Sequence, residues 1–187
     1  MTLLIAGILL WTVVHTFKRV MPEARASIGA KIGVGPSKGI IALILLGSIL
    51  MMSTGFKAMG VQAVYDPPSW GTPVNNLLMI VAVFMFGAAK GKGIAPTLVR
   101  HPMLTGMLIW SGAHLLANGD LRSVVLFGGL GIWAALNMLA INRNEGAWER
   151  PEAGPIKADI KTAMISLVAF GAIAGVHSFI GPSPFGG

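Results

Sequence analysis

Apolar residues along this chain fall into long runs with few polar interruptions. A helix needs about 20 predominantly apolar residues to cross the roughly 30 Å hydrocarbon core of a bilayer. The runs predict six transmembrane helices, at approximately 1–17, 39–59, 74–89, 102–117, 121–141 and 160–180. We therefore expect one domain over residues 1–187, an all-α polytopic transmembrane helical bundle.

The third and fourth predicted spans are short for a full crossing. Polar side chains that flank such spans extend towards the membrane surface, or the bilayer becomes thinner around them. We expect the flanking side chains to reach the interface in this way: Asn75, Asn76, Lys90 and Asn118.

Composition and charge support the membrane prediction. Hydrophobic residues make up 54% of the 187 residues and charged residues 11%, with a mean hydropathy of +0.73. A soluble domain carries about a quarter of its residues as charges. The net charge of +7 is spread over short connections, without the aromatic and basic platform that nucleic-acid binding uses. We therefore expect the lipid bilayer, and not nucleic acid, as the partner.

Lysine and arginine are distributed unevenly among the predicted connections. The first, third and fifth connections carry Lys18, Arg19, Arg25, Lys31, Lys38, Lys90, Lys92, Arg100, Arg143, Arg150, Lys157 and Lys161. The second and fourth carry only Lys57 and Arg122. Because cytoplasmic loops are enriched in these residues, we expect both termini in the periplasm. No small-residue cleavage site follows the first span, which we interpret as a retained anchor in a bacterial inner membrane.

Lipid removes the hydrophobic drive for helix association, so transmembrane helices associate through close packing at small residues. Small residues therefore indicate where the helices approach one another. Gly171 and Gly175 form a GxxxG pattern in the sixth span, and the fifth contains Gly128, Gly129 and Gly131. We expect close helix crossings at these glycines. The alternative is a gap that holds a bulky cofactor or a lipid.

The four histidines are the candidates for chemistry inside the membrane. The chain has no cysteine, and all seven carboxylates lie between or at the edges of the apolar runs. Catalytic triads, carboxylate pairs and thiolate sites are thereby excluded. An intramembrane histidine is a functional-site hypothesis by default. The simpler alternative for each is a structural hydrogen bond to a neighbouring helix.

Helix geometry sorts the histidines by depth. His101 lies at the cytoplasmic mouth of the fourth span, and His114 lies roughly 20 Å further out on the same helix, so the two cannot bind one iron. His15 lies near the cytoplasmic end of the first span, and His177 near the outer end of the sixth. Depth therefore pairs His114 with His177.

The helical face around His114 is rich in side chains that suit a flat cofactor. Residues at i−7, i−4, i−3 and i+4 on that face are Met107, Trp110, Ser111 and Asn118. Haem b suits this face, because imidazole ligation needs no cysteine and the macrocycle favours apolar walls.

The two propionates of a haem need basic partners at a membrane face. Lys18 and Arg19 follow His15 by one turn and are candidates, although they also mark the cytoplasmic boundary of the span. We therefore consider six residues as candidate cofactor-binding positions: Lys18, Arg19, Arg100, His101, Trp110 and Ser111.

Three segments of the sequence resemble the NnrU family of bacterial membrane proteins over essentially the whole chain. They are Arg100-His101-Pro102-Met103-Leu104, His114-Leu-Leu-Ala-Asn-Gly119, and Gly35-Pro36-Ser37-Lys38-Gly39 after an early His15. The resemblance implies a role in the nitrite and nitric oxide metabolism of denitrifying bacteria.

Zeta-carotene isomerases of plants and cyanobacteria share this domain and are haem b proteins with two axial histidines. Carried over by motif, the resemblance places the ligands on His114 and on His15, with His177 in reserve. Those isomerases have a cysteine three residues before the second histidine, where this chain has Ser111. A haem-dependent isomerase is therefore an alternative function. This chain lacks the cysteine that is implicated in the redox-dependent ligand exchange of those isomerases.

A second resemblance belongs to a different class of enzyme. The segment from Val99 to Gly106 looks like the RHPxYxG motif of membrane methyltransferases that bind S-adenosylmethionine, with Leu104 in place of the tyrosine. Their paired glutamates correspond loosely to Glu145 and Glu149. A third alternative is a noncatalytic subunit or assembly factor of a respiratory complex. The partner would then be a respiratory membrane protein, and a second copy of this chain is the other partner that we consider. If the protein is an enzyme, we expect a haem-dependent isomerase or redox protein and not a methyltransferase.

Overall fold

The described residues of the protein, 1–181 and 183–185 of this computed structural model, form a helical bundle. In chain order the helices are α1 (Thr2–Val20), α2 (Pro22–Ile32), α3 (Val34–Ala58), α4 (Gly71–Ala88), α5 (Ala95–Leu98), α6 (Pro102–Ala117), α7 (Leu121–Ser123), α8 (Gly129–Glu145) and α9 (Ile156–Ile180). A π-helical segment, Val124–Gly128, joins α7 to α8. The prediction of an all-α fold is confirmed for these residues.

Five helical stretches of the described residues are long and apolar enough to cross a membrane. They are Thr2–Val20, Val34–Ala58, Gly71–Ala88, Leu121–Glu145 and Ile156–Ile180, and they overlap five of the predicted spans. The other predicted span corresponds to α6, which has 16 residues and extends about 24 Å at 1.5 Å per residue. Six crossings and a periplasmic N-terminus remain predictions.

Helix α2 was not predicted, because its 11 residues are too short and too polar to read as a span. Pro22 occupies its first turn, where the missing N–H of proline costs no hydrogen bond. Gly33, with a φ of 90°, adopts a conformation that favours glycine and separates α2 from α3. Arg25 then donates to the Ser37 hydroxyl over 3.2 Å and ties the two helices together.

The long helices pack in the order α3, α1, α8, α6, α4, α9. Helices α1 and α3 form one closely packed pair, α4 and α6 form another, and α8 lies between them. Outward-facing apolar side chains are strongly exposed, for example Leu43 on α3 at 68% and Val168 on α9 at 74%. Apolar surface of this extent suits contact with lipid and not with water.

Glycines allow the close approach of α1 to α3, although not those that the sequence indicated. A Cβ on Gly55 would lie 2.4 Å from the Leu4 backbone nitrogen, and a Cβ on Gly7 would lie 2.8 Å from the Met52 nitrogen. In contrast, a Cβ on Gly171 or Gly175 would meet nothing within 4 Å. The expected crossing at this GxxxG pattern is therefore absent from the described part of the chain.

The glycines of the fifth span divide between contact and open space. A Cβ on Gly131 would lie 3.1 Å from Ser111 Cβ, so α8 crosses α6 closely there. A Cβ on Gly129 would lie 3.3 Å from the Ile8 side chain, whereas one on Gly128 would meet nothing within 4 Å. The expected crossings are thus correct at two of these three positions.

The end of the bundle that holds both chain termini is here called the terminal end. The connection before α4 and the connection after α6 meet there. The Val64 and Tyr65 amides both donate to the Gly119 carbonyl, over 2.8 and 3.1 Å. The Tyr65 hydroxyl donates to the carbonyls of Leu115 and Asn118. These bonds hold the connection before α4 against the C-terminal end of α6.

The opposite end, here called the basic end, carries most lysines and arginines. Asp159 accepts hydrogen bonds from the Ile94 and Ala95 amides, over 2.6 and 3.3 Å, and so holds the α4–α6 connection against the start of α9. A Cβ on Gly93 would lie 2.1 Å from the Asp159 carboxylate, which leaves room for no side chain at this position. Helix α6 begins at this basic end and ends at the terminal end.

Candidate functional site

His114 is held in one ring orientation and one tautomer. Its Nδ1 lies 2.9 Å from the Trp110 carbonyl oxygen one turn earlier on α6. Because a carbonyl oxygen only accepts, Nδ1 carries the hydrogen and Nε2 keeps its lone pair in the neutral ring. The ring also stacks on Phe127 with centroids 4.3 Å apart. Metal-binding histidines commonly bond the other ring nitrogen to a carbonyl oxygen in this way.

His15 has the same arrangement on α1. Its Nδ1 lies 3.0 Å from the Trp11 carbonyl oxygen, so Nε2 is again the nitrogen with the lone pair. The ring lies 4.0 Å from the Trp11 ring and 5.1 Å from the Trp133 ring, centroid to centroid. Both histidines that the family resemblance selects are thus oriented in the same way.

These rings meet where α1 and α6 pack against the segment from 121 to 145. The six residues Trp11, His15, Trp110, His114, Phe127 and Trp133 are here called the aromatic junction. His15 contacts Trp133, whereas His114 contacts Phe127 six positions earlier. Six helical residues span roughly 9 Å. The two histidines therefore lie at different levels and do not reach one iron in this packing.

The aromatic junction contains buried polar atoms without partners. Trp11 Nε1 and Trp133 Nε1 are both buried and make no hydrogen bond within the described structure. Ser111 Oγ, packed against Gly131 on α8, is the third such atom in this region. Each unsatisfied buried group costs about 1–3 kcal/mol. A ligand that supplies acceptors here would recover that cost.

A separate cavity of about 220 Å³ lies at the terminal end between α4, α6 and α9. We call it the terminal cavity. Its described polar lining residues are Thr72, Asn75, Asn76, His114, Asn118, His177 and Ser183. The structure thus brings His114 and His177 to one cavity, as their depth predicted, and His15 lies outside its described lining.

The candidate residues at the basic end are engaged with one another. Arg100 donates to the Gly146 carbonyl over 2.6 Å and lies 3.5 Å from the Glu145 carboxylate. His101 Nε2 donates to Asn142 Oδ1 over 2.9 Å. Arg19 approaches Glu145 at 3.8 Å, and its side chain is 41% exposed. These contacts join α1, α6 and α8.

The remaining candidates at this end are less connected. Lys18 is exposed in the last turn of α1. Glu149 is exposed in the segment after α8, while Glu145 lies against Arg100. The structure therefore brings one of the two glutamates of the methyltransferase resemblance to the Arg100-His101 motif.

The donor chemistry of the aromatic junction fits a haem. Each of the two imidazoles keeps the lone pair of Nε2 for a metal, although they lie at different levels of the bundle. Aromatic rings supply flat apolar walls, and buried N–H and O–H groups lack acceptors. The terminal cavity fits less well, because 220 Å³ is below the roughly 300–1,000 Å³ of pockets for larger ligands. No Lys or Arg is among its described lining residues to hold propionates.

Sequence reasoning missed Asn75. We expected its side chain to reach the membrane surface, but it is only 8% exposed and lines the terminal cavity. The sequence shows that Asn75 lies near the start of a helix, but it does not show which neighbouring helices bury the side chain. Among the described residues, no group of three or more His, Cys, Asp or Glu side chains is arranged to hold a metal ion.

Comparison with known proteins gives one family. A family model described as NnrU protein matches residues 3–184, nearly the whole chain. No curated protein and no solved structure matches the chain. The match therefore covers both the aromatic junction and the terminal cavity.

Proposed function

Because the chain belongs to the NnrU family, we propose that it is a bacterial inner-membrane protein that binds haem b at the aromatic junction. In this proposal His114 would hold the haem iron, and the protein works alongside nitrite and nitric oxide respiration. The nitrogen-oxide role comes from the family resemblance alone.

The observation that carries the proposal is the set of unsatisfied polar atoms beside two oriented histidines. Trp11 Nε1, Trp133 Nε1 and Ser111 Oγ are buried without partners in the described structure. Protein interiors rarely leave such groups unpaired, so an unpaired set favours a bound group. Haem b supplies a redox-active iron that imidazole binds, together with carboxylate acceptors.

The choice of a second histidine that would hold the iron depends on which part of the bundle would have to shift. His15 becomes the second ligand only if α1 shifts along the bundle towards the level of His114. His177 already shares a cavity with His114, but that cavity must enlarge before it holds a macrocycle. We propose His15, which has the same Nδ1 anchor as His114 and lies between two indoles that lack acceptors.

Absorption spectra of the purified protein test the proposal. We expect a Soret band and iron, both lost in His114→Ala and His15→Ala and retained in His177→Ala. His101→Ala is the matched control, because His101 bonds to Asn142 outside the junction. Trp133→Phe keeps an aromatic ring but removes the N–H, so haem should dissociate more readily from it.

Three outcomes would count against this function. Purified protein without a Soret band or iron would exclude haem. Haem that survives His114→Ala would place it elsewhere. Haem lost in His177→Ala but kept in His15→Ala would assign the second ligand to the terminal cavity.

A further inference from the structure

The terminal cavity contains an acceptor that nothing in the described chain satisfies. Asn75 is 8% exposed, and its Oδ1 is buried without a hydrogen-bond partner. The amide nitrogen of Asn75 is used, since it donates to Asn76 Oδ1 over 3.2 Å. Asn76 in turn donates to the Pro184 carbonyl over 2.7 Å. This chain of bonds orients the Asn75 amide and leaves its oxygen without a partner in the described structure.

Apolar side chains line the part of the cavity between α4 and α9. Met79 and Val83 of α4 face Phe170 and Ile173 of α9 across it. Its described lining contains no Lys, Arg, Asp or Glu. Apart from the two histidines, an ionic ligand would find no charged side chain there, and leaving a charge unpaired in a membrane is costly. The lining therefore selects a neutral molecule.

Size and polarity narrow the class of molecule further. The volume of about 220 Å³ admits a molecule of a single ring and is below the range of pockets for larger ligands. The unsatisfied Oδ1 of Asn75 requires a donor, and the walls require an apolar body. A phenol or hydroquinone ring has this combination of a flat apolar body and hydroxyl donors.

We propose that the terminal cavity binds a neutral aromatic alcohol of the phenol or hydroquinone type, whose hydroxyl donates to Asn75 Oδ1. Such a ring also forms the reduced head group of membrane quinols. The inference goes beyond the proposed function and does not depend on haem, because Asn75 and not a histidine carries it.

Calorimetric titration of the purified protein with two matched ligands tests this inference. Hydroquinone has hydroxyl donors, whereas 1,4-dimethoxybenzene has the same ring and no donor. We expect hydroquinone to bind roughly tenfold more tightly, the factor that one buried hydrogen bond gives. Asn75→Leu should remove this preference. The matched control is Asn137→Leu, because Asn137 is also buried but bonds to the Trp133 carbonyl in α8.

A second variant keeps the test valid if Asn75→Leu fails to fold. Val83→Phe fills the apolar side of the cavity and should weaken binding of hydroquinone while Asn75 stays intact. Equal affinity for the two ligands would overturn the proposal. Asn75 Oδ1 would then bond only to water. Absence of binding at millimolar hydroquinone would also overturn it. The Soret band of each variant is recorded as well. A variant that loses hydroquinone binding but keeps its Soret band separates the cavity proposal from the haem proposal.

The same titration also tests whether the ligand comes from the membrane or from water. A hydroquinone with a ten-carbon tail enters from the lipid, whereas hydroquinone itself enters from water. Tighter binding of the tailed form, after correction for its partition into detergent, indicates a membrane quinol. Tighter binding of the untailed form indicates a water-soluble phenol. Both results support the same Asn75 contact.

Discussion

Asp120 is the residue that closes the terminal end before the chain re-enters the bundle. Its carboxylate accepts from the Ser123 amide over 3.1 Å and from the Ser123 hydroxyl over 2.8 Å. Arg122 lies 3.2 Å from the same carboxylate and also donates to the Met59 carbonyl. One side chain thus caps α7 and links it, through Arg122, to the end of α3.

The pKa of Asp120 makes this contact sensitive to pH. Burial raises the pKa, but the hydrogen bonds from Ser123 and the charge of Arg122 outweigh burial and hold it below the ordinary value of 3.8. A carboxyl with a lowered folded pKa stabilises the fold above its unfolded pKa and loses this contribution as the pH falls through the folded value. The contact therefore weakens below about pH 3.8.

We predict that replacing Asp120 lowers stability at neutral pH and reduces the loss of stability in acid. Asp120→Ala should cost about 0.5–2 kcal/mol, the usual value of a helix cap. Asp120→Asn keeps a capping oxygen but does not titrate, so its melting temperature should fall less than that of the wild type between pH 5 and 3. Thermal unfolding in detergent measures both effects.

The control for this prediction is Asp66→Asn, which changes an exposed carboxylate in the neighbouring connection. Its acid profile should match that of the wild type. An unchanged acid profile in Asp120→Asn would show that Asp120 does not contribute through ionisation.

The histidines show what can be predicted at the scale of single residues. The i−4 carbonyl of each helix follows from α-helical spacing, so the orientation of His15 and His114 was within reach of the sequence. The burial of Asn75 was not, because it depends on α6 and α9 packing over one face of α4. Chemistry along one helix was predictable, and chemistry shared between helices was not.

At the scale of helices, the α1–α3 pair depends on glycine at two positions, Gly7 and Gly55. We predict that Gly55→Ala destabilises the protein, because the added Cβ would lie 2.4 Å from the Leu4 nitrogen. The two helix backbones must then separate, and such overpacking costs about 1–3 kcal/mol. Thermal unfolding in detergent should show a lower melting temperature.

Gly47→Ala is the matched control on the same helix. A Cβ on Gly47 would meet nothing within 4 Å, and alanine is favoured over glycine in helices by about 1 kcal/mol. Its melting temperature should stay the same or rise. If Gly55→Ala were as stable as Gly47→Ala, the close contact at Leu4 would be wrong.

Helix positions were predicted well and helix contacts poorly, for a physical reason. Hydropathy reports where a helix meets lipid, so five spans overlap the long helices of the structure. It does not report which face meets another helix. Gly171 and Gly175 therefore read as a crossing although their surroundings are open, while Gly7 and Gly55 were not selected. Helix α2 was missed because it is not apolar.

At the scale of the whole molecule, the two candidate sites meet at His114 of α6. The aromatic junction lies between α6, α1 and α8, and the terminal cavity lies between α6, α4 and α9. His114 borders both. A ligand in the cavity and a cofactor in the junction would therefore meet across this one imidazole ring.

The absence of cysteine from the sequence gives a direct test of how the molecule lies in the membrane. Single cysteines can be placed at Val61 before α4, where the side chain is 74% exposed, and at exposed Ala153 before α9. In intact cells, a membrane-impermeant maleimide should label Val61→Cys but not Ala153→Cys until the cells are lysed, because positive loops stay inside.

This pair of cysteines also counts the crossings, since α4, α6 and the helix from 121 to 145 separate the two positions. Three crossings put them on opposite sides, and two put them on the same side. Labelling of both in intact cells would mean that the 16 residues of α6 do not span the bilayer. Labelling of Ala153→Cys alone would keep α6 as a span and reverse the orientation, so the terminal cavity would then open to the cytoplasm.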